Sequence, residues 1–279
     1  MSGPIGDVIL DGTAVPAEAA VISVFDIGFQ RGYGCFEAMR SYGGRIFRLE
    51  EHLRRLAGSA ERMGIPLPDR ADLARWCLDR AEAAGDGVVR LLVSGGTDLN
   101  TPGFESRVVV FAEQVADLPE VLSVQVRPAP WHPDGRSSEL TGAKTLSYGP
   151  NVAAGMAARR EGFDDALLVG SSGAVLEGPT YSVAWVIDGT VNTPALDLGV
   201  LPSITRNAVF EVAAASSISV REGSFPLDVV LAADEVLAMS TLREILPICR
   251  VDGRVFPVGP VTQELMAGFR EMVANEIAS

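Results

Sequence analysis

The stretch "GAKTLSYGPNVAAGMAARREGFDDALLV", residues 142–169, holds Lys144, the one lysine in a chain of 279 residues that otherwise uses 22 arginines. An arginine keeps its proton at any useful pH, whereas a lysine can be tuned to a neutral, nucleophilic amine. Where charge alone is needed this sequence writes Arg, so Lys144 reads as a candidate reactive amine. The competing reading is a lysine left by chance in an arginine-biased sequence. Behind it a helix is expected from about Pro150 to Arg160. Then comes "ALLVGSSGAVLEG" (166–178), read as two strands turning on Ser171-Ser172-Gly173.

The same alternation of hairpins and helices extends in both directions. Toward the N-terminus, "DVIL" and "TAVP" form a hairpin around Asp11-Gly12, a strong turn dipeptide. "FEAMRSYGGRIF" (36–47) turns at Gly43-Gly44. "RLEEHLRRLAGSAERMG" (48–64) spaces Leu49, Leu53, Leu56 and Ala60 as a helix does and stops at Gly64 before Pro66. A second helix is expected from about Asp69 to Ala84, then buried-type strands in "GVVRLLVSGG" and "SRVVVFAEQ". Toward the C-terminus, "YSVAWVIDGTVNTP" is a hairpin turning at Asp188-Gly189. "LPSITRNAVFEVAAAS" opens a helix with Ser203 as N-cap. "ADEVLAMSTLREILPICRVDGRVF" gives strands, and "VTQELMAGFREMVANEIA" a closing amphipathic helix. Three prolines between 128 and 133 mark a connector. The expected class is α+β: a small α/β domain over 1–118, a connector over 119–130, and a larger sheet-rich domain over 131–279.

Composition narrows the function. Apolar residues at 47% and charged residues at 21% suit a globular protein. A net charge of −13 with no basic run argues against nucleic acid or an anionic membrane as partner. Cys35, Cys77 and Cys249 are odd in number, widely spaced and without a CxxC pair, which suggests free thiols in a reducing compartment. His52 and His132 stand far apart, so no metal site is expected. The opening "MSGPIGDVILDG" lacks the basic and apolar regions of a signal peptide, and no window approaches the roughly 20 apolar residues of a membrane span. A soluble, cytoplasmic protein is the expectation.

Several features belong with Lys144. Glu177 ends "AVLEG" where a chain leaves a sheet; taken alone it is a solvated hairpin carboxylate. Ser203, Ile204 and Thr205 begin a helix behind a proline, and a helix start offers unpaired N–H groups to a phosphate, although Ser203 also reads as a simple cap. Ser240 and Thr241 are adjacent hydroxyls at a strand end, and Arg48 precedes a helix. An amine, a carboxylate, a phosphate-type helix start and a spare arginine form the inventory that pyridoxal 5'-phosphate (PLP) requires.

The sequence resembles the class IV aminotransferases, the fold-type IV PLP enzymes. These include branched-chain aminotransferases, D-amino-acid transaminases, (R)-amine transaminases and aminodeoxychorismate lyase. The likeness runs from "FDIGFQRGYGCFEAMRSYGGRIFRLEEHLRRL" (25–56) through the Lys144 stretch, "GAVLEG", "GVLPSITRNAVFEVA" and "DEVLAMSTLREILPI". It implies that Lys144 is the Schiff-base lysine and proton shuttle. Glu177 would pair with the pyridinium nitrogen, and Arg48, Ile204, Thr205 and Thr241, with Ser240 beside them, would form the phosphate cup. Tyr148 would lie near the cofactor's phenolic oxygen. The resemblance further implies a homodimer with the active site at the interface, ping-pong kinetics, and an amino donor and a keto acid as partners.

Two departures bear on the substrate. "GFQRGYGCFE" has Arg31 where branched-chain enzymes usually carry a tyrosine. "VVRLLVSGG" keeps Arg90 but has Val88 at the aromatic position and Gly95 in place of a second arginine. Arg31 and Arg90, with Phe36 between them in sequence, are therefore the candidate substrate residues, since a guanidinium fork suits a carboxylate. Their bland readings are a solvated loop residue and a structural ion pair. "EGPTYSVAWV" also departs from the branched-chain pattern, with Ser182 at an asparagine position. A D-amino-acid transaminase that also takes (R)-amines is the favoured expectation. L-branched-chain transamination and the lyase reaction are the alternatives.

Overall fold

The structure, a computed structural model, describes residues 3–135 and 138–278. It divides into two compact units, one of Met1–Asp117, Ala143–Tyr148 and Glu276–Ser279, the other of Leu118–Gly142 and Gly149–Asn275. The reading from sequence gives the lysine stretch to 131–279, whereas residues 143–148 pack in the first unit, along the edge of its sheet.

The first unit is built from β1 (Val8–Leu10), β2 (Thr13–Val15), α1 (Ile27–Arg31), β3 (Gly34–Tyr42), β4 (Arg45–Ile46), α2 (Leu49–Arg62), α3 (Arg70–Ala84), β5 (Gly87–Ser94) and β6 (Val108–Glu113). Its sheet runs β2-β1-β6-β5-β3-β4, every pair antiparallel. Strand alternation separates its two faces. Cys35, Glu37, Met39, Val89, Leu91, Val93, Val110 and Ala112 are all buried, on the side where α2 and α3 pack. Each large apolar side chain among them contributes about 1.5–3 kcal/mol. Phe36, Arg90, Leu92, Val109 and Phe111 alternate with them and are half-exposed. The five-residue α1, capped by Asp26 accepting the Gly28 N–H, stands where the sequence suggests only a loop.

The second unit contains β7 (Leu122–Pro128), α4 (Gly149–Arg160), β8 (Asp165–Val169), β9 (Ser182–Ile187), β10 (Thr190–Pro194), α5 (Ile204–Ala215), β11 (Val220–Gly223), α6 (Leu227–Leu231), β12 (Glu235–Ser240), β13 (Glu244–Val251), β14 (Arg254–Val255) and α7 (Pro260–Ala278) up to Asn275. Its sheet is mixed, ordered β11-β10-β9-β12-β13-β7-β8 with β14 paired to β13. Trp185 packs edge-to-face on Phe225 at its core, 5.0 Å between ring centroids.

Two expectations change. The connector at 119–130 is largely strand: Leu122 and Val124 are buried, and β7 pairs in parallel with both β13 and β8. The prolines that suggested a linker fall at its end and beyond. The expected strand in "GAVLEG" is reduced to isolated bridges at Ala174 and Val175. The Leu176 N–H and the Glu177 carbonyl still pair with Leu168, but the Gly178 N–H then closes a turn onto the Tyr181 carbonyl. Glu177 thus sits in extended chain immediately before that turn.

Candidate active site

Lys144 is held by strand pairing. The Phe36 N–H donates to the Lys144 carbonyl at 3.0 Å, the Leu146 N–H donates to the Gly34 carbonyl at 2.8 Å, and Cys35 faces Thr145 between them. Gly34 permits the approach, because a Cβ there would meet Val93 O at 2.5 Å and Leu146 Cδ1 at 2.6 Å. Opposite Phe36, the lysine side chain shares the half-exposed face. Its Nζ stands 4.4 Å from the centre of the Phe36 ring and 5.5 Å from that of Tyr148. The Tyr148 hydroxyl lies 3.5 Å from Nζ, and the two rings meet edge-on at 5.4 Å. Half-burial against aromatic faces suits a cation that can also be desolvated.

Beneath this strand lies a charge cluster that the sequence reading missed. Glu37 is fully buried, with Arg55 Nε and Nη2 donating to its two oxygens at 2.7 Å each and His52 Nδ1 at 2.8 Å. Burial alone would raise the Glu37 carboxyl, yet the Arg55 charge and hydrogen bonds, with those of His52, hold it down to about 2. Burial pushes the His52 ring below its ordinary value, and the Arg55 and Lys144 charges push the same way against the pull of Glu37. One turn further along α2, the Ser59 hydroxyl donates to the Arg55 carbonyl at 2.9 Å and accepts the Lys144 backbone N–H at 3.0 Å. A sequence signal existed: His52, Arg55 and Ser59 fall at helical spacing on the buried side of α2, where polar residues imply buried partners. Burial also pushes the Cys35 thiol up to about 12, helped by the Glu37 charge, so Cys35 is no competing nucleophile.

The substrate candidates are positioned unequally. Arg90 shares the sheet face of Phe36 and Lys144, being opposite Ala38 two residues along β3. Its Nε and Nη2 both engage Glu113 Oε1, at 2.6 and 2.5 Å, so the ion-pair reading is realised. Its Nη1 has no partner among the described residues. Arg31 is exposed at the end of α1, next to Gly32, whose carbonyl accepts from the Ser147 hydroxyl at 2.9 Å. Arg48 caps α2 with φ near 55° and pairs with Glu51 at 3.3 Å and Glu276 at 2.8 Å, so a phosphate there would displace carboxylates.

The second unit carries the remaining candidates. Glu177 Oε2 accepts the Leu201 N–H at 3.2 Å, and His132 Nε2 stands 3.6 Å from Oε1. Ile204 and Thr205 are buried in the first turn of α5, behind Ser203, which accepts the Arg206 N–H as the expected N-cap. α5 packs on β12, whose end carries Ser240 and Thr241; Ser240 Oγ accepts the Arg243 N–H at 3.1 Å. Arg243 in turn pairs with the buried Asp165 at 2.8 Å, fixing the turn that bears the two hydroxyls. Among the described residues no cluster of His, Cys, Asp and Glu suits a metal ion, and no helix is long and apolar enough to cross a membrane.

These donors fit PLP: one titratable amine, a carboxylate steadied by a backbone N–H, and hydroxyls at a strand end and a capped helix start. The profile of amino-transferase class IV matches residues 34–251. A protein provisionally named branched-chain-amino-acid aminotransferase from Methanocaldococcus jannaschii is 32% identical, over 95% of this chain and 96% of its own. A D-alanine aminotransferase of Staphylococcus epidermidis is 27% identical over 96% and 98%. The solved PLP-bound form of a hypothetical aminotransferase from Mycobacterium tuberculosis superposes with a TM-score of 0.88 at 25% identity, covering 97% of this chain and all of that one. The chain belongs to the class IV aminotransferases and is a PLP-dependent aminotransferase of fold type IV, acting between an amino donor and a keto acid.

Proposed function

We propose that the chain moves an amino group from a D-amino acid to a 2-keto acid such as pyruvate or 2-oxoglutarate, with Lys144 as its proton carrier. PLP, when bound, supplies an electron sink for the charge left at the substrate Cα. Lys144 Nζ would carry the substrate Cα proton to the cofactor's C4′ carbon in the first half of the cycle and from C4′ to the Cα of the keto acid in the second, and Tyr148 OH would steady the amine. Glu177 keeps a proton at the pyridine nitrogen, its carboxylate steadied by the Leu201 N–H. The first turn of α5 at Ile204 and Thr205, Ser240, Thr241 and Arg48 hold the phosphate.

The observation that carries the D-amino-acid reading is Arg90, on the sheet face of Lys144, with one guanidinium edge still open to a substrate carboxylate. Phe36 lies between them on that face, and Arg31 of a second copy supplies the other cation in a homodimeric, cytoplasmic enzyme. The D-alanine aminotransferase likeness supports this reading. A second reading, L-branched-chain transamination, is favoured by the more similar Methanocaldococcus relative and by the engagement of Arg90 with Glu113.

The test is the absorption spectrum of the PLP-loaded protein before and after excess D-alanine or L-leucine, with no keto acid present. Bleaching of the visible band by D-alanine alone is expected. Bleaching by L-leucine alone would overturn the D-amino-acid reading and leave the aminotransferase standing.

A further inference from the structure

We propose that Ser59 is the positioning residue of Lys144, fixing the root of the reactive amine from the helix side of the sheet. The proposal rests on reading Lys144 as the reactive amine and goes beyond it to a residue of α2. In the ladder between residues 34–36 and 144–146, the Lys144 carbonyl faces β3, where it accepts the Phe36 N–H. A regular antiparallel ladder would return the Lys144 N–H to the Phe36 carbonyl, because a hydrogen-bonded pair exchanges both bonds. Ser59 Oγ receives it instead, at 3.0 Å.

Ser59 can do this because it is itself held. It is buried, and its hydroxyl hydrogen is committed to the Arg55 carbonyl at 2.9 Å, which turns a lone pair toward Lys144. Arg55 is locked to Glu37 by two parallel hydrogen bonds, and Glu37 belongs to β3, the strand that carries Phe36. A closed circuit results: β3 through Glu37 and Arg55 to Ser59, then to the Lys144 N–H, and from the Lys144 carbonyl back to β3 at Phe36. Both backbone polar groups of Lys144 are thereby referred to one rigid strand. An amine at the end of a four-carbon stem gains from such a fixed origin, since small displacements of a proton carrier cost rate.

Because the chain has one lysine, labelling with 15N-lysine gives a single backbone amide signal for the full-length protein, the Lys144 N–H itself. In Ser59→Ala that amide is expected to exchange with solvent about tenfold faster or more. With PLP bound, kcat is expected to fall about tenfold while KM for the amino donor stays within about twofold. Ser59→Thr, which keeps the hydroxyl, is expected to restore both. Unchanged Lys144 exchange in Ser59→Ala would overturn the proposal, as would faster exchange without loss of kcat. If Ser59→Ala does not fold, Ser59→Cys, a weak acceptor, and Ser59→Thr are compared the same way, and equal exchange in the two overturns the proposal. Full turnover in Lys144→Arg would remove the reading of Lys144 itself, while the amide signal of the unaltered chain would still report the Ser59 bond.

Discussion

The two faces of β3 do opposite things with charge. On the face covered by α2, Glu37, Arg55 and His52 are joined by hydrogen bonds of 2.7–2.8 Å. On the other face Lys144 Nζ lies over aromatic rings and Arg90 keeps one edge open. Successive residues, Phe36 and Glu37, belong to these two settings. Charge that is closed in by matched partners serves the fold, and charge left half-exposed is available to chemistry. Substitutions on the open face should therefore change rate with little change in stability, and loss of a buried charge on the covered face should cost stability first, with rate following only through the Ser59 bond to Lys144.

The largest effect is expected at Lys144. Lys144→Arg keeps the positive charge but cannot give up its proton, and turnover should fall by at least about a thousandfold. The thermal midpoint should stay within about 2 °C of the parent, as suits a half-buried surface amine. A large drop in melting temperature would break the division between the faces, because Lys144 would then be structural.

Glu37→Ala tests the other side. It removes the carboxylate that neutralises a buried guanidinium, a change that costs about 3–5 kcal/mol when one partner of a buried pair is lost. Chemical denaturation should read that loss directly. Retained stability would mean that Arg55 reaches solvent when Glu37 is gone, and the covered face would not be closed as described.

How far the sequence exposed this arrangement follows from what each signal encodes. Strand alternation in "FEAMRSY" and the helical spacing of Leu49, Leu53, Leu56 and Ala60 are local, and both elements stand as read. The turn dipeptides Asp11-Gly12, Gly43-Gly44 and Asp188-Gly189 sit between the strands they predicted, for the same reason. Lys144 was visible by its rarity alone. Glu37 was not, because a charged residue within an alternating strand looks like an exposed one unless its long-range partners are known. The Arg90–Glu113 pair likewise joins residues brought together by strand register. At 119–130 proline composition outweighed the alternation of Leu122 and Val124, and a strand was read as a connector.

Arg90→Ala sharpens the comparison on the open face. Loss of a charge-assisted contact to a substrate carboxylate should lower kcat/KM for D-alanine about 10- to 100-fold. An (R)-amine without a carboxylate should lose little. Equal losses on both substrates would show that Arg90 acts through its Glu113 pair on the sheet, and the open edge of its guanidinium would then have no role in selection.

The smallest effect is a pH dependence, and it belongs to the covered face. The His52 ring is held below its ordinary 6.5 by burial first, so the folded chain resists a proton that the unfolded chain accepts. Stability is therefore lost as pH falls through 6.5, with a slope no steeper than about 1.4 kcal/mol per pH unit for one proton. Glu37 is depressed from 4.5 to about 2, so its contribution is complete above 4.5 and disappears as pH falls from there toward 2. The two arms follow one another on acidification and have the same sign. Subtracting the unfolding free energies of His52→Gln from those of the parent at pH 7, 6 and 5 isolates the first arm from the chain's other carboxylates. A difference that does not change across that range would mean that His52 titrates freely, and the covered face would then be open to water.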